Sequence, residues 1–218
     1  MYFKDNKKLN EYFKVVIDVF NNFKNNLVDK SLLIIYENRQ NKKIEYIIVS
    51  IRGYNFYHLT GLIYKEDSGN SKDEHFGSRF YGDLCDKRLS VEQLKIKDNN
   101  TNLKIKALPS IAQHCKYIKM IGDFNNNGIK LKLDKVAGNN NVCLGLKRIG
   151  YKEYAPASCL YNDVREYINT SNKVVAIFSK NTDNENKFNK IEYIAKGINL
   201  NDNILCDNII NDLIDISK

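Results

Sequence analysis

Apolar residues recur at helical spacing at the start of the chain and at strand spacing directly after it. Residues 8–27 predict an amphipathic helix, because apolar positions three and four residues apart share one side of it while Asn, Lys, Glu and Asp lie between them. The apolar positions are Leu9, Tyr12, Phe13, Val16, Phe20, Phe23 and Leu27. Residues 32–36 and 44–50 are β-branched, apolar runs joined by a polar loop, which predicts a β-hairpin.

The middle of the chain predicts three further helices. Large apolar residues recur at every fourth position between residues 75 and 87, which indicates the first of them. Ser-Val-Glu-Gln at 90–93 has the form of a capping box and predicts that a short helix begins there. An apolar stripe over residues 108–121 predicts the third helix, with Pro109 in its first turn, where a missing N–H has no intrahelical partner to lose.

The second half of the chain has the pattern of strands. After a turn-like run at 125–128, residues 129–133 alternate apolar side chains with Lys130 and Lys132, which predicts a strand with lysines on one face. Further strands are expected at 142–146, 174–178 and 191–195, and a terminal helix is expected at 204–216. The predicted class is α+β, with an N-terminal helix and hairpin, a helical segment, and then a mostly antiparallel sheet.

Composition and charge indicate the compartment and the kind of partner expected for this protein. The chain has 218 residues, 43% of them hydrophobic, and a formal net charge of +8, which indicates either a polyanionic partner or simply good solubility. Residues 124–154 hold six Lys or Arg against two acids, so the charge is concentrated. The five cysteines are widely spaced without a CxxC pair and indicate free thiols in a reducing compartment. We find no signal-peptide pattern and no apolar run of membrane-spanning length, and expect a cytoplasmic protein that binds no membrane.

His58 is the candidate for acid–base chemistry. It follows the predicted hairpin within an aromatic-rich run at 54–62, where we expect it to lie at the end of a strand. Its ordinary pKa lies close to neutrality, so an imidazole there suits proton transfer, and the alternative is a packed, hydrogen-bonded histidine. Walker A, dinucleotide-binding and HExxH motifs are absent from the sequence, and so are carboxylate pairs at metal-ligand spacing, so neither a cofactor nor a metal is predicted.

Several cationic and hydroxyl side chains are candidates for contact with phosphate. Lys135 precedes a Gly-Asn turn and is either a phosphate ligand or an ordinary surface lysine. Arg165 suits bidentate phosphate binding, with a salt bridge to Asp163 or Glu166 as the alternative. Ser158 is either a phosphate ligand or the cap of a following turn.

The sequence also offers supporting contacts to a nucleic acid. Lys180, at the end of a predicted strand, is a further phosphate contact or a surface lysine. Tyr81 is among the tyrosines that could stack on bases or serve the edge of the core. Asn139 tolerates positive φ, so its role is either substrate contact or formation of the turn.

Seven short motifs in a fixed order resemble a known family. They are FYHLTGL at 56–62, FY at 80–81, DKVAGN at 134–139, LG at 144–145, YAPAS at 154–158, DVR at 163–165 and FSK at 178–180. Together they resemble the fourth phage-associated branch of the Barnase/EndoU/colicin/RelE-like nuclease superfamily, from about residue 56 to residue 196. The family's histidine falls on His58, its basic position on Lys135, and its hydroxyl on Ser158, where Thr is expected as readily.

The resemblance implies an endoribonuclease that needs no metal, carried by a phage or another mobile element of bacteria and toxin-like in its action. We expect a nuclease-like domain over 53–200, with 1–52 as an elaboration and 201–218 as a C-terminal helix, in one compact unit. The predicted catalytic residues are His58, Lys135, Ser158 and Arg165, and the predicted substrate-binding residues are Thr60, Tyr81, Asn139 and Lys180.

RNA is the expected partner, and an antitoxin or a host protein is a further one. The alternative hypothesis keeps the fold without catalysis, so that the protein works by binding RNA or a host protein.

Overall fold

A long helix and a hairpin open the fold, as the sequence predicts. The computed structural model describes residues 6–64, 73–126, 131–203 and 208–215. Helix α1 spans Asn6–Asn26, and strands β1 (Lys30–Glu37) and β2 (Ile44–Ile51) pair antiparallel. The apolar stripe of α1 is buried, with Val16 and Phe23 almost without exposed surface.

His58 lies on a helix, and the expectation that it ends a strand is wrong. Strand β2 ends at Ile51, and α2 (Asn55–Thr60) begins after a turn in which the Arg52 N–H donates to Asn55 Oδ1 at 2.7 Å. That side-chain acceptor satisfies a backbone donor which a longer strand would have used for pairing. Gly61 then ends α2 in the left-handed conformation, with φ of +70°.

The helices in the middle of the chain agree in part with those predicted from the sequence. Helix α3 (Asp73–Cys85) and a 3₁₀ turn at Val91–Gln93, whose Gln93 Oε1 accepts from Ser90 N at 2.7 Å, are confirmed predictions. Strand β3 (Leu62–Tyr64), before α3, and strand β4 (Leu94–Ile96), after the 3₁₀ turn, form a small two-stranded sheet.

The predicted start of the next helix is wrong. Helix α4 spans Thr101–Gln113, so it begins seven residues before position 108. Thr101 sets this start, because its hydroxyl donates to the carbonyl of Gly61 at 2.8 Å and ties the first turn to the end of α2. Pro109 therefore lies inside α4 on its exposed side, and a 3₁₀ turn at Cys115–Tyr117 separates α4 from the strand that contains Ile121.

Seven strands close into a barrel, whereas the sequence predicted a mostly antiparallel sheet without its closure. Going round the barrel, the order is β1, β2, β8, β7, β6, β5 and β9, and β9 pairs with β1. Neighbouring strands are antiparallel except β2 and β8. The further strands are β5 (Met120–Asp123), β6 (Lys135–Gly138), β7 (Cys143–Gly150), β8 (Glu153–Leu160), β9 (Asn172–Asn181) and β10 (Lys190–Ile194), which pairs with β9 outside the closed ring.

The lysine-bearing strand expected at 129–133 is not observed. Ile129 and Lys130 lie outside the described residues, as does part of the turn expected at 125–128. Residues 131–133 have no regular secondary structure. They contribute Leu131 and Leu133 to an apolar cluster on the barrel.

The two faces of the sheet build separate cores. Leu32, Ile34 and Tyr36 of β1 share the larger cluster with α1, α2 and α4. The alternate residues Leu33 and Ile35 pack in a second cluster, whose further members include Phe178, Phe188, Ile210 and Ile214.

The described C-terminal helices lie beside this second core. The predicted terminal helix is seen as α5 (Leu200–Asn203) and α6 (Asn208–Leu213), and residues 204–207 lie outside the described residues. Strands β1 and β2 belong to the segment 1–52 that was expected to be an elaboration, yet they are two of the seven barrel strands. None of the described helices combines the length and apolarity that crossing a membrane requires.

Candidate functional site

His58 and Ser158 line the same cavity. Its volume is about 270 Å³, and it lies between α2, β3, the first turn of α4, strand β8 and the segment 131–133. Three lysines, Lys97, Lys104 and Lys132, contribute to its wall. No Asp or Glu is among the lining residues that the structure describes. The cavity therefore combines one imidazole with three ammonium groups and suits an anion.

Hydrogen bonds within and around α2 hold His58 at this wall. The Thr60 hydroxyl donates to the carbonyl of Tyr57 at 2.8 Å and accepts from the Leu62 N–H at 3.1 Å. Asn55 Nδ2 donates to the carbonyl of Pro156 at 3.2 Å, which ties α2 to the strand that carries Ser158. A helix of six residues is too short to be stable alone, so these contacts fix the position of His58.

Lys104 is one of the lysines of the cavity that the sequence did not predict. Its Nζ donates to the backbone carbonyl of His58 at 3.2 Å, next to the cavity. Burial lowers the pKa of Lys104, because the charged form loses its hydration. An anion in the cavity would stabilise this ammonium, so the structure is suited to hold negative charge beside His58.

Ser158 reaches the cavity from a well-packed strand. It is buried and pairs with Gly145 across β7 and β8. A Cβ at Gly145 would lie 2.6 Å from Leu133 Cδ1, so the glycine allows the segment 131–133 to pack closely on the hairpin. The Ser158 hydroxyl lies 3.4 Å from the carbonyl of Cys159, at the long limit of a hydrogen bond.

Lys135 and Arg165 do not line this cavity. Lys135 is largely buried, and its Nζ bonds Asp123 Oδ1 at 2.6 Å across β5 and β6. Arg165 is exposed and forms an ion pair with Asp163, which also holds the pKa of that carboxyl below its ordinary value. Arg165 lines a different cavity of about 360 Å³, together with Glu37, Arg39, Lys42, Met120, Ser171 and Lys173.

The four predicted substrate-binding residues are spread over the fold. Thr60 is fully buried and uses its hydroxyl for the two bonds within α2 described above. Tyr81 packs its ring against Phe20, with centroids 5.6 Å apart. Asn139 Oδ1 accepts from the N–H groups of residues 141 and 142 and so closes the turn between β6 and β7. Lys180 Nζ donates to the carbonyl of Asn186 at 3.0 Å.

The structure thus brings together His58 and Ser158 out of the predicted catalytic set, with three lysines beside them. Lys132 belongs to the basic stretch recognised in the sequence, whereas Lys97 and Lys104 lie outside it. Among the described side chains, no group of three or more His, Cys, Asp or Glu is arranged to hold a metal ion.

Comparison with known proteins gives one match. The model of the family described as phage-Barnase-EndoU-ColicinE5/D-RelE like nuclease 4 matches residues 16–196. No curated protein and no solved structure matches the chain significantly.

Proposed function

Because the chain belongs to the phage-Barnase-EndoU-ColicinE5/D-RelE like nuclease 4 family, we propose that it cleaves RNA without a metal ion, at the cavity lined by His58 and Ser158. One observation carries this proposal: an imidazole shares a cavity with three ammonium groups, and no carboxylate is found among the lining residues that the structure describes. That composition suits a phosphodiester, which needs proton transfer and compensation of negative charge.

The proposed mechanism uses the cavity as follows. His58 takes part in the proton transfer that activates the 2′-hydroxyl of RNA, since it is the lining side chain whose ordinary pKa lies near neutrality. The 2′-oxygen, having given its proton to His58, attacks the phosphorus to form a 2′,3′-cyclic phosphate. The bond to the 5′-oxygen breaks, and the departing 5′-oxygen takes a proton from water. Lys97, Lys104 and Lys132 stabilise the extra negative charge on the phosphorus-bound oxygens, and the Ser158 hydroxyl donates to one of them. Lys135 and Arg165 take no part in the chemical step, because they lie outside the cavity.

The test is cleavage of single-stranded RNA in excess EDTA. We expect His58→Ala to lower the rate by about 10²- to 10⁴-fold, the usual contribution of a general acid or base. His114→Gln is the matched control, because His114 lines a separate cavity and should leave the rate unchanged. Circular dichroism and thermal unfolding show whether both variants are folded. A folded His58→Ala protein that cleaves at the rate of the wild type would contradict the proposal.

One observation favours a second candidate function, RNA binding without cleavage. Among the described residues that line the cavity there is a single imidazole, whereas this reaction usually employs both an acid and a base. Under this alternative, affinity falls steeply with salt while no product forms over hours. Appearance of product that depends on His58 excludes it. A toxin role, and an antitoxin or host protein as partner, stay predictions.

A further inference from the structure

The hairpin of β7 and β8 carries a continuous surface from the cavity to an exposed tip. Gly145 pairs with Ser158, and Lys147 pairs with Ala155. Leu146 belongs to the larger core, so the alternate residues Gly145 and Lys147 lie on the opposite face of the hairpin. This opposite face, which we call the outer face, therefore begins at the cavity and carries mainly small side chains.

The tip of the hairpin presents an aromatic ring to solvent. Tyr151 has 87% of its surface exposed, and Ile149 has 59%. Lys152 Nζ lies 5.9 Å from the centroid of the Tyr151 ring and 3.9 Å from that of Tyr46. Large apolar groups this exposed gain nothing from burial in the folded chain, and a cation beside them suits a charged, aromatic ligand.

Positive charge borders the same surface. Lys132 lies at the cavity, Lys147 in the middle of β7 and Lys152 at the tip, against Glu153 at the start of β8. A row of cations beside small residues and an exposed aromatic ring is the combination by which proteins bind single-stranded nucleic acids.

We infer that a single-stranded RNA runs from the cavity along the outer face of the β7–β8 hairpin and stacks one base on Tyr151. The inference rests on the proposed function, because it places the cleaved phosphate at His58. The five residue steps from Ser158 to Glu153 span about 17 Å, so the stacked base lies several nucleotides from that phosphate. Lys147 and Lys152 contact the intervening phosphates.

Equilibrium binding of a fluorescently labelled 2′-O-methyl RNA oligonucleotide, measured by anisotropy, tests the inference without cleavage, because the methyl group blocks the attacking hydroxyl. We expect Tyr151→Ala to weaken binding about 5- to 140-fold, the range that corresponds to loss of one base–aromatic stack. Tyr151→Phe keeps the ring and should bind as the wild type does. Tyr161→Ala is the matched control, since Tyr161 is 40% exposed just beyond the opposite end of β8.

Cleavage of an RNA dinucleotide adds an independent measurement. This substrate is too short to reach Tyr151, so Tyr151→Ala should cleave it at the rate of the wild type. The inference is overturned if Tyr151→Ala binds the long RNA with unchanged affinity, if Tyr161→Ala loses as much affinity, or if the wild type does not bind. If Tyr151 governs binding but RNA is never cleaved, the proposed function fails and the inferred binding surface stands.

Discussion

Lys104 places a positive charge where hydration is poor. Its ammonium group lies beside the carbonyl of His58, and burial lowers its pKa. A lysine is expensive in such a position unless a ligand compensates the charge. We therefore expect the affinity of the cavity for an anion to depend most directly on Lys104.

Lys104→Met should separate binding of the anion from stability. We expect the rate of RNA cleavage to fall about 10²- to 10³-fold, the cost of removing one donor to the developing charge. The melting temperature should not fall, because a poorly hydrated charge is removed. Lys106→Met on the exposed side of α4 is the control, with both quantities unchanged. Wild-type activity in Lys104→Met would contradict a role for this ammonium group.

Part of the candidate site can be predicted from short sequence motifs. His58 and Ser158 belong to motifs that can be recognised without knowledge of the fold, and they share a cavity. Lys104 was missed because the helix that carries it was expected to begin at residue 108. The partner of Arg165, two residues away, was among the alternatives, whereas Asp123 approaches Lys135 through pairing of β5 with β6, which local spacing does not reveal.

Helix α2 shows how a short element depends on its surroundings. Its six residues are too few to show a helical periodicity, so the sequence indicated an extended segment. Its end at Gly61 has φ of +70°, and the Gly61 carbonyl accepts from the Thr101 hydroxyl at 2.8 Å. The position of His58 therefore depends on a glycine conformation and on a contact with α4.

Gly61→Ala and Gly82→Ala should change stability in opposite directions. The first places a side chain at positive φ and 2.8 Å from Lys104 Cδ, so we expect a loss of about 1–3 kcal/mol together with slower cleavage. The second lies inside α3, where an added Cβ meets nothing within 4 Å, and should gain about 0.5–1 kcal/mol. Urea denaturation measures both, and equal effects would contradict the assigned role of Gly61.

Three buried thiols shape the stability of the whole molecule at alkaline pH. Burial raises the pKa of Cys115 and Cys159 from 9.0 to about 12, and it raises that of Cys143 as well. Between the ordinary and the raised pKa the unfolded chain loses protons that the folded chain retains. Stability therefore falls as pH rises through this window.

Cys159→Ala tests this pH dependence. The free energy of unfolding of the wild type should fall from pH 9 to pH 12, by up to about 1.4 kcal/mol per pH unit for each thiol, and the fall should be shallower in the variant. The lowered pKa of Lys104 contributes the opposite slope below its ordinary value of 10.5, so the difference between the proteins is the informative quantity. Parallel curves for Cys159→Ala and the wild type would contradict the assignment.

The sequence predicts where four of the seven barrel strands lie but not how they join. Alternation and apolar runs located β1, β2, β7 and β9, and β10 outside the ring, because these signals are local. Closure depends on pairing such as Leu33 with Phe178, between segments that are far apart in the chain. No periodicity within either segment specifies that partner, so closure of the sheet was not predicted.

Closure also sets a condition on biosynthesis. Lys30 pairs with Asn181, so β1 keeps an unpaired edge on the nascent chain until β9 has been made. Pairings at such separation form slowly compared with helices, which leaves time for a chaperone or a partner strand to bind that edge. The barrel, and with it the cavity, can therefore be completed only after the ribosome has passed residue 181.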